Sequence, residues 1–352
     1  MGLGRALAAR SDVALTAFVD SGTAWPAGPS GSRPHVESLR ARQRTPRLAL
    51  ELPIRARLGR LDILHVQYVM PPVAGLPVAV AIHDLSFEDR PDLFPVATRW
   101  RLQAAIRVSA QRAHVVLALS EFTRARILHH YGLDPARVMV VRAGIEPPDP
   151  PDPTTDGVAR DHLKRLGLPD RFVLHVGDLI PRKNVPRLVE AVVRLRRDGA
   201  GDLGIVLAGQ TGRDLYLVEA AIAGATGPRE QPWAHRLGYV SAMTLDALYR
   251  VAEVVAQPSL YEGFGLPVLE AMARGAVVVT STTTALGEVV GDAALLADPE
   301  DIDALTAVLG RAIGDEAERA RLRQAGPQRA TGFSWTHAAD QTVAAYRNAL
   351  DR

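Results

Sequence analysis

Short runs rich in valine, isoleucine and leucine alternate with stretches of helical period from one end of the chain to the other. Such runs are too uniformly apolar for a sheet with one wet face, so they predict parallel strands buried on both sides by helices, an α/β architecture. In the second half Phe172 to Val176, Gly204 to Ala208, Arg236 to Tyr239, Val254 to Gln257 and Val277 to Thr280 read as strands. Helices are expected between them near Pro186 to Arg197, Asp214 to Ala223, Thr244 to Val251 and Pro267 to Arg274. In the first half Val13 to Val19, Ile63 to Val66, Val78 to Ile82, Val115 to Leu119 and Val138 to Val141 predict a second unit of the same kind.

At 352 residues the chain exceeds one ordinary core, and two domains of roughly 150 to 180 residues are expected. Residues Pro147 to Pro153, reading Pro-Pro-Asp-Pro-Pro-Asp-Pro, suit neither sheet nor helix and predict a stiff connector. The expected domains are therefore 1–148 and 154–333. The stretch Ser21 to Pro34 reads as a surface loop.

Composition removes several function classes. Basic and acidic residues number 41 and 39, giving a net charge of +2 that offers no general attraction for nucleic acid. There are no cysteines, so disulfides and thiolate chemistry are absent. The longest charge-free stretch, Ile63 to Ile82, carries three prolines, a histidine and a glutamine, unlike a bilayer span. The expectation is a cytoplasmic protein.

Three motifs carry chemistry. Strand Val254 to Gln257 runs into Pro-Ser-Leu-Tyr-Glu262-Gly263-Phe264-Gly265-Leu266-Pro-Val-Leu-Glu270, a glycine-containing loop that opens a helix. Glycines let backbone approach a ligand, and the first helical turn attracts phosphate or sugar oxygens. Glu262 in the loop and Glu270 one turn into the helix can meet one ligand at two depths; a turn residue and an exposed helix glutamate are the competing account.

The second motif, His175-Val-Gly-Asp178-Leu-Ile-Pro-Arg182-Lys183-Asn184-Val-Pro186, sets two cations at a helix start with Asn184 as its cap. A departing diphosphate gains negative charge, which preorganised cations stabilise. Only two of the 41 basic residues are lysines, Lys164 and Lys183, which argues against a merely solvated pair. The third motif, His83-Asp-Leu-Ser-Phe87, ends an apolar strand, where a histidine can hydrogen-bond a sugar or orient an acceptor. A structural histidine is the alternative there.

Together with Glu288-Val-Val-Gly-Asp-Ala-Ala-Leu-Leu, these motifs resemble family 4 glycosyltransferases of the GT-B fold, particularly the mannosyltransferase-like group, from about Leu61 to the C-terminus. The resemblance implies two Rossmann-like domains facing a central cleft, an acceptor domain first and a nucleotide-sugar donor domain second, with a last helix over 334–352 crossing back onto the first. By motif, Arg182 and Lys183 would bind the diphosphate. Glu262 with Gly263, Phe264, Gly265 and Leu266 would hold the sugar, and Glu270 the ribose. His83 would lie near the reacting sugar, and Ser120 and Glu121 match a turn with acceptor or hinge contacts.

The implied reaction is metal-independent transfer with retention, from a nucleotide diphosphate sugar, GDP-mannose being favoured, to a glycan or lipid-linked acceptor. No separate cofactor and no metal are expected. The only Asp-x-Asp, Asp301 to Asp303, opens a helix over Asp301 to Ala312, where acids favour the helix dipole.

The departures lie mainly at the beginning: Met1-Gly2-Leu-Gly4 resembles the tail of a glycine-rich loop whose preceding strand is missing, so the expected true start lies upstream. Gly287 replaces a usual proline, and Asp178 an arginine of some members. Arginines from Arg33 to Arg60 and Arg99 to Arg112 could meet an anionic inner membrane face, solvated helix faces being the alternative. A competing function is a non-catalytic sugar-nucleotide-binding relative inactivated by N-terminal loss. A sugar-nucleotide epimerase fits the motifs less closely.

Overall fold

The computed structural model describes residues 2–23, 25, 34–148, 155–224 and 233–351. The chain divides into two compact units, one comprising Met1–Glu146 with Phe333–Arg352 and the other Pro147–Gly332. Most of the proline-rich connector, and most of the loop expected after Ser21, lie outside the described residues.

In the second unit β7 (Phe172–Val176), β8 (Gly204–Ala208), β9 (Ala234–Gly238), β10 (Val254–Gln257), β11 (Val278–Ser281) and β12 (Leu295–Ala297) form one parallel sheet. Its order is β12-β11-β10-β7-β8-β9. Period-two alternation divides the central strands between two cores. Val173, Ile205, Val254 and Val279 face one with helices Val185–Arg197 and Ile302–Gly314. Phe172, Leu174, Val206, Val255 and Val278 face the other, with helices Ala242–Val251 and Leu266–Ala273. Both faces of β7, β8, β10 and β11 are dry, which is why these four strands lack polar alternation.

The chain winds outward from β7 through β8 and β9, then returns to the far side of β7 as β10 and continues to β12. This reversal puts a crevice at the carboxyl ends of β7 and β10, where open parallel sheets receive ligands. Val254 pairs with Val173 and Val255 with Leu174, so the two loops that leave these strands emerge side by side.

The first unit contains a parallel sheet in the order β3-β4-β5-β6, from β3 (Leu64–Gln67), β4 (Val78–Ile82), β5 (Val115–Ala118) and β6 (Val138–Val140). The first predicted strand does not join it. Instead β1 (Thr16–Asp20) pairs in parallel with β2 (His35–Leu39) as a separate two-stranded sheet. Sequence reasoning missed β2 because its residues are mostly exposed and carry no apolar alternation. It also missed β12, a three-residue strand inside an alanine-rich stretch.

The C-terminal helix Trp335–Leu350 belongs to the first unit, where Ala338, Ala345 and Ala349 pack on Ala79, Ala81, Val115 and Leu117. Small residues on both surfaces bring backbone close to backbone. Ile145 and Ser334 form a parallel bridge, and a Cβ on Gly144 would stand 2.2 Å from the amide nitrogen of Trp335. That neighbour is backbone and cannot yield by rotating. Gly144→Ala is therefore expected to lower the stability of the first unit by about 1–3 kcal/mol. Calorimetry of the variant checks this, and an unchanged transition contradicts the close approach.

Candidate active site

The loop after β7 tightens into a 3₁₀ turn, Pro181–Lys183, and enters helix Val185–Arg197 through Asn184 at φ 59°. Asn184 is not the side-chain cap that its position predicts. In that left-handed backbone its amide points elsewhere, and Nδ2 donates to the carbonyls of Pro258 (3.0 Å) and Pro299 (2.7 Å). The amide of Leu260 donates to the carbonyl of Arg182 at 2.8 Å. These bonds fasten the loop after β7 to the loop after β10.

Fastened in this way, the two loops converge on Glu262. Lys183 Nζ donates to its Oε1 at 2.5 Å, Arg182 Nη1 to its Oε2 at 2.9 Å and Ser259 Oγ to Oε1 at 2.9 Å. Lys183 and Glu262 are each 8% exposed. Burial alone would raise this carboxyl, but the Lys183 ammonium and Arg182 guanidinium, helped by hydrogen bonds from Lys183 and Ser259, hold it below the ordinary glutamate value. Two cations against one carboxylate leave a net positive charge, suited to an anion.

Behind the cluster His175 on β7 is fully buried, its Nδ1 bonding the carbonyl of Ala256 at 3.2 Å. Burial and the neighbouring Lys183 charge lower its pKa to about 4, so it stays neutral. On the other side Thr284, with the strained φ of 69°, accepts from the Glu262 amide through Oγ1 at 3.2 Å.

Gly265, at φ 112°, turns the chain into helix Leu266–Ala273, and a Cβ there would stand 2.6 Å from Leu286 Cδ2. Gly263 and Phe264 are buried in the loop, while Leu266 is partly exposed. Glu270 lies one turn into the helix and has a different partner, Tyr249, whose hydroxyl donates to Oε2 at 3.0 Å. Burial raises Glu270, with the Tyr249 hydrogen bond and the Arg274 charge opposing it.

In the first unit His83 follows β4, its ring 5.2 Å from that of Tyr68, itself at φ 59°. Burial lowers the His83 pKa, against the opposing charge of Asp84. Asp84 accepts from the amide and hydroxyl of Ser86 at 2.9 and 2.6 Å. Ser120 caps helix Glu121–Tyr131 by accepting from the Thr123 amide. Asp301 likewise accepts from the amides of Asp303 and Ala304, and Asp303 pairs with Arg194, as helix-start chemistry requires. Asp178, the departure from arginine, accepts from the Gln210 amide.

The structure thus brings Arg182, Lys183 and Glu262 together, sets Glu270 against Tyr249 on the adjoining helix, and places His83 in the other unit. Sequence reasoning missed Ser259, Thr284 and Tyr249. Ser259 and Thr284 carry only the generic signal of hydroxyls near a motif, and Tyr249 is an aromatic in a helix of core spacing.

A six-stranded parallel sheet that reverses its winding at β7 and carries basic and acidic loops there, with a four-stranded parallel sheet in the other unit, is the architecture of the GT-B glycosyltransferases. Residues 1–148 match Glycosyltransferase Family 4, and residues 161–329 match Glycosyl transferases group 1. O-antigen chain mannosyltransferase B of Escherichia coli is 31% identical over 272 residues, covering 75% of this chain and 68% of that protein. The MMP alpha-(1->4)-mannosyltransferase of Mycolicibacterium hassiacum is 31% identical over 329 residues, covering 85% and 73%. Among solved structures, sucrose-phosphate synthase from Thermosynechococcus elongatus aligns with a TM-score of 0.79 at 20% identity, covering 98% of this chain and 91% of that one. The chain belongs to glycosyltransferase family 4 and is a hexosyltransferase.

Lys183→Met should raise the Glu262 carboxyl, since only Arg182 and Ser259 then oppose its burial. Glu262 in the wild type contributes stability that is present above the ordinary glutamate value and is lost as pH falls through its depressed folded value. The variant's deficit, about 3 kcal/mol at pH 7, should shrink over that window. Urea unfolding at pH 7 and pH 4 measures it, and an equal deficit at both values overturns the ion pair.

Proposed function

We propose that this glycosyltransferase transfers mannose from GDP-mannose to a glycan or lipid-linked acceptor hydroxyl, with retention at the anomeric carbon and without a metal ion. The observation that carries the reading is the Arg182–Glu262–Lys183 cluster at the switch between β7 and β10, which joins residual positive charge to a carboxylate. Mannose is favoured because two relatives of 31% identity are named mannosyltransferases.

In this reading Arg182 and Lys183 bind the diphosphate and stabilise the charge it gains as the bond from the anomeric carbon to phosphate oxygen breaks. The acceptor oxygen bonds that carbon on the same face, and its proton passes to the departing phosphate oxygen. Glu262 and the backbone from Gly263 to Leu266 hold the sugar, Glu270 the ribose. His83, kept neutral by burial, hydrogen-bonds the transferred sugar. The first unit would hold the acceptor and the second the donor.

A panel of nucleotide sugars tests the donor. At a hundredfold excess over Kd the preferred one should raise the melting temperature by about 5 °C or more. Lys183→Ala and Glu262→Ala, checked by circular dichroism to be folded, should reduce transfer at least ~100-fold. Full transfer by either variant removes the site assignment, an inverted anomer in the product seen by NMR removes the mechanism, and binding without turnover favours a non-catalytic relative.

A lipid-linked acceptor implies contact with a membrane surface, although no helix among the described residues is long and apolar enough to cross one. Leu50, Ile54 and Leu58 recur every fourth residue and are 62%, 54% and 77% exposed, beside the exposed Arg57 and Arg60. An apolar stripe flanked by cations matches an anionic interface. Binding to phosphatidylglycerol vesicles should weaken as salt rises and fall further in Ile54→Asp; binding insensitive to both excludes this surface.

A further inference from the structure

Glu270 sits beside a buried assembly that the proposed reaction does not use. Tyr249, in helix Ala242–Val251, is 1% exposed and donates its hydroxyl to Glu270 Oε2. The Arg274 guanidinium covers the Tyr249 ring at 5.5 Å from its centroid. Arg274 Nη1 donates to the backbone carbonyl of Glu270 at 3.0 Å, and its Nε to Asp246 Oδ1 at 2.6 Å. The other Asp246 oxygen accepts from Arg250 Nε at 2.7 Å. Helix Ala242–Val251 therefore holds helix Leu266–Ala273 at two points, the Glu270 side chain and the Arg274 side chain that follows the helix, and the bond from Arg274 to the Glu270 carbonyl links the two.

A carboxylate at the end of a glutamate side chain turns easily about its last bond. The Tyr249 hydroxyl removes that freedom by fixing Oε2. Oε1 has no protein donor among the described residues, so the same bond sets the direction in which Glu270 offers its second oxygen. The ligand chemistry matching one fixed, partly buried acceptor is a hydroxyl donor such as the ribose diol of a nucleoside diphosphate.

We propose that Tyr249 is a positioning residue that orients Glu270 toward the ribose hydroxyls of the donor nucleotide, with Arg274 and Asp246 holding the phenol in place. This rests on the assignment of Glu270 to the ribose made above. The phenol acts through Glu270 and does not touch the reacting atoms. It also opposes the rise that burial imposes on Glu270, as Arg274 does. Losing the phenol hydroxyl therefore leaves the carboxyl both freer to turn and easier to protonate.

The test compares GDP and UDP with their 2′,3′-dideoxy counterparts by calorimetry on the full chain and on Tyr249→Phe and Glu270→Gln. The wild type should lose about tenfold or more in affinity when the ribose hydroxyls are removed. Tyr249→Phe should bind the ribonucleotide about tenfold more weakly and lose most of that discrimination. Its nucleotide affinity should also begin to fall at a higher pH than that of the wild type, because Arg274 alone then opposes burial.

A phenol that merely fills the core would change neither the discrimination nor the pH at which affinity falls. If Glu270→Gln loses the discrimination while Tyr249→Phe keeps it, the role of Tyr249 is overturned and that of Glu270 stands. If Glu270→Gln keeps it, or if neither nucleotide binds, the assignment of Glu270 fails and the inference with it.

Discussion

A buried carboxylate must be paired, and around Glu262 that requirement organises the second unit's ligand-facing edge. An ionised carboxyl 8% exposed is costly unless cations and hydrogen bonds compensate it. Its cationic partners come from a loop some eighty residues away in sequence. They meet only because β7 and β10 are neighbours in the sheet, and because Asn184 and the Leu260 amide fasten one loop to the other. Strand order, loop conformation and charge pairing therefore depend on one another. A change that slid β10 along β7 by one residue would also separate the ions.

Much of this was legible because the relevant signals are local. Uniformly apolar runs identified β7, β8, β10 and β11, since a strand covered on both faces has no reason to alternate. The motif around Glu262 predicted a helix opening near Leu266 or Pro267, where glycine and proline conformations dominate, and the helix begins at Leu266. What resisted reading was set by tertiary contact. Asn184 looked like a cap because its position in sequence was right, yet its backbone turned left-handed and its amide served two distant carbonyls. Arg182 and Lys183 read as cations for a phosphate, and sequence spacing could not reveal that Glu262 already pairs with both. β2 carried no signal because its residues are too exposed to need an apolar pattern.

The two units solve their packing differently. The second encloses branched residues between helices on both faces of its sheet, with Val, Leu and Ile filling each core. Part of the first instead lays alanines of Trp335–Leu350 on alanines of β4. Small side chains contribute less transfer free energy each, about 25 cal/mol per Å² buried, but they allow the backbone approach at Gly144 that bulky residues would block. Histidine 65 illustrates the consequence. Its Nδ1 lies 2.6 Å from the Tyr346 hydroxyl of that same helix, and burial together with the charge of His83 lowers its pKa to about 4. Held neutral, it can bond the phenol without bringing an unpaired charge beneath the helix.

Glu262 and Glu270 are separated by eight positions and share one loop-and-helix segment, yet their carboxyls shift in opposite directions. Burial presses both upward. The difference lies in what answers it: two cations and a serine for Glu262, a neutral phenol and one less direct cation for Glu270. A carboxylate held by two cations keeps its charge and fixes them in place, and their surplus positive charge suits an anion bound beside them. A carboxyl held by a phenol keeps one oxygen fixed at less electrostatic gain, so its protonation remains open to pH and to a ligand's hydroxyls. Identical side chains are thereby suited to different tasks. The distinction resides in neighbours contributed by β7 and by helix Ala242–Val251, not in the motif that contains the two glutamates.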